Sequence, residues 1–392
     1  MKIIGIIAEY NPLHNGHIYQ IKQAKKIYNA DYIIVVMSGP FTQNGNISLI
    51  DKYAKANIVI ESGADLVIEL PVIYATSSSE YFAKGAVKLL NDLQIVDNIL
   101  FGTECEDILC LENIAKKLIT NKEKILDDIQ KENKNNTFAT NRDKVLKNYL
   151  TIKEHIQIST PNNILGIEYI KNIIELNSSI KPICITRKGT VSSTIIRKNI
   201  SNNDYNYLEE NASLAVTNYI KNNKIMYEND NYLNKVYSLI RYKLLMLNTN
   251  QLKNIYEIAE GLENKLLNEI ISSTNYEDFI NNIKSKRYTR ARIKRILINI
   301  LLNISKDYYD INTLTTPVYA HILKANNNGK KLISKISKNS NINLLTSYKP
   351  NYLNKLNLED NILNLINLDI SANNIYLSIF NKSLNTDFIN QI

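Results

Sequence analysis

Tryptophan is absent from this chain of 392 residues, and cysteine, histidine and methionine are scarce at 3, 4 and 4. Cys105, Cys110 and Cys184 are odd in number, form no Cys-x-x-Cys and have no histidine nearby. A disulfide framework and a zinc site are therefore not suggested, and the thiols are expected to be reduced and structural. Long apolar runs are missing too: Ile3–Ala8 and Ile33–Met37 fall far short of the ~20 residues that cross a bilayer. The opening apolar stretch meets Glu9 with no small-residue cleavage site, so a cytoplasmic protein without a secretory leader is expected. There is no Walker phosphate loop, and nothing points to a catalytic triad, haem or flavin.

What is present begins with charge. Lys and Arg number 47 against 38 Asp and Glu, a formal +9, which matters for a polyanionic partner only if it gathers on one surface. The abundance of Asn, Ile, Lys and Tyr reads as compositional bias, so isolated Lys or Asn residues carry little weight. At roughly 100 to 200 residues per domain, the length predicts two or three domains.

Short apolar runs alternate with helical periodicity through about residue 200. Strands are expected at Ile3 to Ala8, Tyr32 to Met37, Leu66 to Leu70, Asn98 to Phe101 and Pro182 to Thr186, with helices at Gly16 to Tyr28, Ile50 to Glu61, Ser79 to Leu93, Ile164 to Leu176 and from Ser193. Continuous apolar strands separated by such helices imply right-handed crossovers and a doubly wound parallel sheet, an α/β Rossmann-like domain. The expected organisation is a nucleotide-binding domain over 1–200 with a polar helical insertion near 105–150. A helical region over 201–310 and a small mixed region over 311–392 follow. Asn326 to Gly329 and Lys338 to Asn343 read as loops.

The strongest chemical signal is Glu9-Tyr10-Asn11-Pro12-Leu13-His14-Asn15-Gly16-His17, directly after the first strand. In a doubly wound sheet the first strand opens into the ligand crevice, and the following helix points free backbone amides there. His14 and His17 at the first helical turn can face one anion, and Gly16 lets backbone approach it. Fixed donors at an α-phosphate stabilise the charge that builds as pyrophosphate leaves. A helix-capping turn is the bland alternative; a metal site lacks a third ligand, so Mg²⁺ is expected to arrive with the nucleotide. The second signal, Arg187-Lys188-Gly189-Thr190-Val191-Ser192-Ser193-Thr194-Ile195-Ile196-Arg197, follows the last strand and offers a second anion site from Ser193, Thr194 and Arg197, or a simple cap.

Together these elements resemble the His-x-Gly-His nucleotidyltransferase superfamily. More narrowly, Gly5 to His17, Phe41-Thr42-Gln43, Gly63 to Pro71, Phe101-Gly102-Thr103-Glu104, Pro161 to Gly166, Glu260 to Asn264 and Lys286-Arg287-Tyr288-Thr289 look like the bacterial tRNA(Met) cytidine acetate ligase family. The resemblance implies activation of acetate by ATP to acetyl-adenylate, then acetylation of N4 of the wobble cytidine in elongator tRNA(Met). It implies ATP held by Ile7, Ala8, Glu9, Tyr10, Asn11, Pro12, Leu13, His14, Asn15, Gly16, His17, Ile18, Tyr19 and Gln20, and by Gly102, Asn162, Arg187 and Lys188, with His14 and His17 catalytic. Neither a membrane nor DNA is implied as a partner. The chain departs from the family pattern at Asn44, where an Arg is usual, and in a shorter segment between Arg187 and Ser192.

The third signal is basic: Lys284, Lys286, Arg287, Arg290, Arg292, Lys294 and Arg295 occur without an intervening acidic residue, and Tyr288 among them could stack on a base. Of these, Lys284, Lys286, Arg287, Arg290, Arg292 and Arg295 are the candidate tRNA contacts, against the alternative of a solvated face. A small-molecule adenylyltransferase would use the histidine pair without a basic helical region. A non-enzymatic RNA-binding protein on a degenerate nucleotidyltransferase fold is the other rival.

Overall fold

A computed structural model describes residues 1–105, 107–132, 138–186, 191–259, 261–309 and 319–389. Seven strands make one sheet: β1 (Ile3–Ala8), β2 (Tyr32–Ser38), β3 (Leu66–Leu70), β4 (Asn98–Thr103), β5 (Lys181–Thr186), β6 (Ala320–Ala325) and β7 (Leu344–Leu345). Their order is β5-β4-β1-β2-β3-β6-β7. The first five are parallel, and the chain reverses its direction of winding between β1 and β4. A crevice opens at such a reversal, outside the carboxyl ends of the strands. The doubly wound sheet read from the sequence is correct, with strand limits within two residues of expectation.

The apolar runs form these strands because both faces are covered. Ile3, Ile4, Ile6, Val35 and Val67 are fully buried, as parallel strands between helical layers require. At Gly5 a Cβ would lie 2.8 Å from Leu90 Cδ1, so the glycine lets the helix Ser79–Asp92 settle on β1. The insertion is helical as expected, over Ile108–Thr120, Lys122–Lys131 and Phe138–Leu146. The described residues between 206 and 302 lie largely in helices, among them Asn231–Met246, Leu262–Ser272, Tyr276–Ile283 and Arg290–Leu302. Among the described residues no helix is long and apolar enough to cross a membrane.

The C-terminal segment is not a region apart from the sheet. β6 runs antiparallel against β3, pairing Leu66 with Ala325 and Glu69 with His321, and β7 extends the edge. The expected loop at Asn326–Gly329 is instead the start of the helix Asn327–Asn339. The Asn326 side chain accepts from the Gly329 amide at 2.9 Å, which is asparagine's role as an N-cap. The expected loop at Lys338 to Asn343 also begins inside this helix, which ends at Asn339.

A buried ionic cluster ties these late residues to the early ones. Lys52 donates to Glu69 Oε2 at 2.8 Å and Asp387 Oδ1 at 2.6 Å. His321 Nδ1 lies 2.7 Å from Glu69 Oε2, and Tyr53 and Asn373 donate to Asp387. Burial opposes ionisation of Glu69, but Lys52 and His321 outweigh it and hold the carboxyl well below its ordinary range.

Candidate functional site

The crevice lies where β1 and β4 end. β1 delivers Glu9, and a sharp turn at Tyr10, whose φ is +50, carries the chain to the helix Asn15–Lys26. Such a left-handed tyrosine persists only where its surroundings fix it. Asn11 does this: its Nδ2 donates to Ile47 O at 2.9 Å and its Oδ1 accepts from Leu49 N at 2.9 Å. From the other side Arg197 donates to Asn11 O at 2.6 Å, and Ser193 Oγ donates to Pro12 O at 3.2 Å.

At the head of the helix the two histidines cap it reciprocally. His14 Nδ1 accepts from the Gly16 amide at 3.1 Å, while the His14 amide donates to His17 Nδ1 at 3.2 Å. Their rings stack with centroids 3.8 Å apart, and Tyr10 meets His17 edge-on at 4.9 Å. An Nδ1 that accepts leaves the proton of a neutral imidazole on Nε2, the donor form a phosphoryl oxygen needs. Capping and anion binding are therefore compatible in this turn, since capping fixes which nitrogen donates.

The cleft encloses about 210 Å³. Glu9 is half-buried there with Oε1 accepting from the Gln43 amide at 2.6 Å. Burial raises its carboxyl above the ordinary range, against the lowering influence of that amide, Arg197 and Lys55. Beneath it Lys55, 1% exposed, donates to the carbonyls of Glu9, Ser38 and Gly39 and to Ser48 Oγ. That fully coordinated ammonium joins the ends of β1 and β2. Opposite, the Asn162 amide donates to Glu104, and Gln20 Nε2 reaches Leu100 O at 3.0 Å, tying the first helix to β4.

The basic segment is divided by its packing. Arg295 is 8% exposed; its Nε and Nη2 engage Glu257 at 3.2 and 3.0 Å and its Nη1 reaches Gln43 O at 3.4 Å. Tyr288 is buried, donates to Ala259 O and lies beneath the Arg292 guanidinium, 4.8 Å from the ring centroid. Arg295 as a tRNA contact and Tyr288 as a base-stacking platform are therefore both corrected: the helix Arg290–Leu302 turns Arg295 inward to hold Gln43, and Tyr288, just before that helix, is buried against Ala259 O. Gly45, at φ +69, packs with its Cβ position 2.5 Å from Lys294 Cβ, so only glycine permits this contact. Arg290 pairs with Glu277 and Asn281, and Arg292 donates to Glu257 O. Lys284, Lys286 and Arg287 remain exposed.

The family model for HIGH Nucleotidyl Transferase matches residues 1–391. The chain belongs to this HIGH nucleotidyl transferase family. Within it, the tRNA(Met) cytidine acetate ligase of Clostridium perfringens is 37% identical over 417 residues, covering 99% of this chain and 98% of the relative. The ligase of the same name from Acetivibrio thermocellus is 37% identical over 366 residues, 88% of each chain. The crystal structure of Thermotoga maritima TmcAL bound with alpha-thio ATP superposes with a TM-score of 0.87 at 29% identity, over 97% of this chain and 95% of that one. The apo form of that protein gives 0.89 at 28% identity. The family resemblance read from the motifs holds.

For a HIGH transferase, the sequence placed most of the cleft wall. Ile7, Ala8, Glu9, Tyr10, Asn11, His14, Gly16, His17, Tyr19, Gln20, Gly102, Asn162 and Ser193 line it. Leu13 is buried behind it, Asn15 turns outward to Glu210 O, Ile18 packs on the core, and Pro12 contributes its carbonyl to Ser193. Thr194 is exposed and accepts from Arg197, so this pair braces the turn instead of lining the cleft. Arg187 and Lys188 lie outside the described residues. The apolar wall of Phe82, Phe101, Leu165, Tyr169, Ile185 and Val191 and the polar Gln43 and Asn44 were not assigned to the site from sequence. Leu165 and Tyr169, four apart on the helix Pro161–Glu175, carried a legible signal: they share a helix face with Asn162.

Proposed function

We propose that the protein is an ATP-dependent ligase that acetylates N4 of the wobble cytidine in elongator tRNA(Met). Acetate attacks the α-phosphorus of ATP, pyrophosphate leaves, and the cytidine amine then takes the acetyl group from the acetyl-adenylate with release of AMP. The observation that carries this reading is the capped histidine pair at the cleft mouth, in a chain that matches ligases of that name along nearly their whole length. In this reading the histidine Nε2 atoms and the helix N-terminus would meet the charge that grows on the α-phosphate, in a partly enclosed cleft where such donors act strongly.

The apolar wall of Phe101, Leu165 and Tyr169 suits an adenine face, with Gly102 and Asn162 at its edge. Mg²⁺ bound to the leaving pyrophosphate would neutralise its charge. Exposed Lys284, Lys286 and Arg287 present charge to the tRNA backbone. The reaction belongs to the cytoplasmic tRNA pool. The test incubates protein with ATP, labelled acetate and total tRNA, then digests the tRNA and looks for N4-acetylcytidine. Acetate-dependent exchange of pyrophosphate into ATP without any acetylcytidine would favour the small-molecule adenylyltransferase; neither signal would favour the RNA-binding rival.

A further inference from the structure

The proposed reaction brings two anions, ATP and acetate, into a cleft whose one acidic lining side chain, among the described residues, is Glu9. A carboxylate there opposes both substrates by like-charge repulsion. Adenylation gives it no role, because acetate is already the nucleophile. Glu9 is nevertheless fixed in place: the Gln43 amide holds Oε1 at 2.6 Å, and Lys55 Nζ holds its backbone carbonyl at 3.2 Å.

The second half-reaction does need such a group. The N4 lone pair of cytidine is delocalised into the ring, so the amine is a weak nucleophile that becomes strongly acidic once it bonds to the acyl carbon. Its proton has to leave as the carbon–oxygen bond to AMP breaks. The mixed anhydride forms at the α-phosphate beside His14 and His17, in the same cleft wall as Glu9. We infer that Glu9 is the base that takes the N4 proton during acetyl transfer, an assignment that rests on the ligase reading. The N4–carbonyl bond forms, the acyl carbon–oxygen bond breaks, AMP departs as an anion, and the proton passes to a Glu9 carboxylate oxygen and then to water.

The surroundings suit that task. Burial raises the Glu9 carboxyl, and a carboxylate closer to neutrality is a stronger base. The groups facing it are Lys55 on the helix Lys52–Glu61, Arg197 on the helix Ser193–Ser201, Tyr169 on the helix Pro161–Glu175 and the amides of Gln43 and Asn44. Lys55 and Arg197 are committed to backbone carbonyls.

The decisive variant is Glu9→Gln in the full chain, which keeps an oxygen to accept from the Gln43 amide. Acetate-dependent pyrophosphate exchange and single-turnover acetyl transfer to tRNA are measured side by side across pH. The expected result is a ratio of transfer to exchange lowered by roughly 10² or more, the scale of a lost general base. Wild-type transfer should rise with pH through the Glu9 titration to a plateau. Glu9→Asp should keep that rising limb and Glu9→Gln should lose it. An unchanged ratio, or the same limb in both variants, overturns the assignment and leaves Glu9 a part of the ATP site. If the wild-type protein shows no acetate-dependent exchange, it is the ligase reading that fails.

Discussion

His17 does two separable things, and replacing it should cost two separable quantities. In the proposed reaction its Nε2 donates to the α-phosphate, and loss of one such donor removes about 2.7–4 kcal/mol of transition-state stabilisation, a 10²–10³-fold fall in rate. Its Nδ1 accepts from the His14 amide at 3.2 Å, half of a reciprocal cap whose loss costs ~0.5–2 kcal/mol of stability. Against a typical reserve of ~5–15 kcal/mol, His17→Ala should therefore fold, melt a few degrees lower and form adenylate at least a hundredfold more slowly. His17→Gln separates the two effects, because a glutamine at this helical position can reach back to the capping amide. Its melting temperature should return toward wild type while the rate stays low. The assays are acetate-dependent pyrophosphate exchange and thermal melting. An exchange rate in His17→Ala within about threefold of wild type, at saturating ATP and acetate, would show that the histidine pair is a cap and nothing more, without preorganised donors for the transition state at this turn.

Four further outcomes are expected. Lys286→Ala and Arg287→Ala should weaken tRNA binding and lower the slope of log K against log salt by ~0.7–0.9 per lost phosphate contact, measured by filter binding; Arg295→Ala should instead lower thermal stability, by less than the ~3–5 kcal/mol of a fully buried pair, because it strands the half-buried Glu257, and weaken ATP binding through Gln43. Lys52→Met should destabilise by about 3–5 kcal/mol in chemical denaturation, since Glu69 and Asp387 lose their shared cation, and adding Glu69→Gln with Asp387→Asn should recover part of that loss. A fragment ending at residue 200 should lack cooperative melting by circular dichroism, because β3 would have no β6 beside it; a sharp transition in that fragment would contradict the role given to the C-terminal strands.

The sheet and the histidine turn were legible because their signals are local. Ile3 to Ala8 reads as a buried strand from its own six residues, and His14 to His17 sit one helical turn apart in any context. The errors came from contacts between distant segments. β6 carries His321 and Lys324 within a short run, and only its partner, 252 residues away at Glu69, makes it a strand of the first sheet. Arg295 looks like its basic neighbours in sequence, yet Glu257 and Gln43 turn it inward. Tyr288 is drawn inward in the same way, by the Ala259 carbonyl. A charge run does not state which of its members face solvent, because helix phase and the partner surface decide that.

The union of β3 with β6 also bears on how the protein is made. A ribosome adding ~5–20 residues per second needs roughly ten to fifty seconds to travel the 252 residues that separate Glu69 from His321. For that interval β3 presents an open, apolar edge with unpaired amides and carbonyls, the kind of template on which nascent chains aggregate. Lys52 and Glu69 meanwhile await Asp387, which follows β6 in the chain. Completion of the nucleotide-binding sheet is thus a late event in the life of the chain, and a truncated product released from a stalled ribosome would carry the histidine turn on an unfinished scaffold. The early strands are completed only after the segments carrying β6 and Asp387 have emerged, which ties the finished scaffold to synthesis of those late partners.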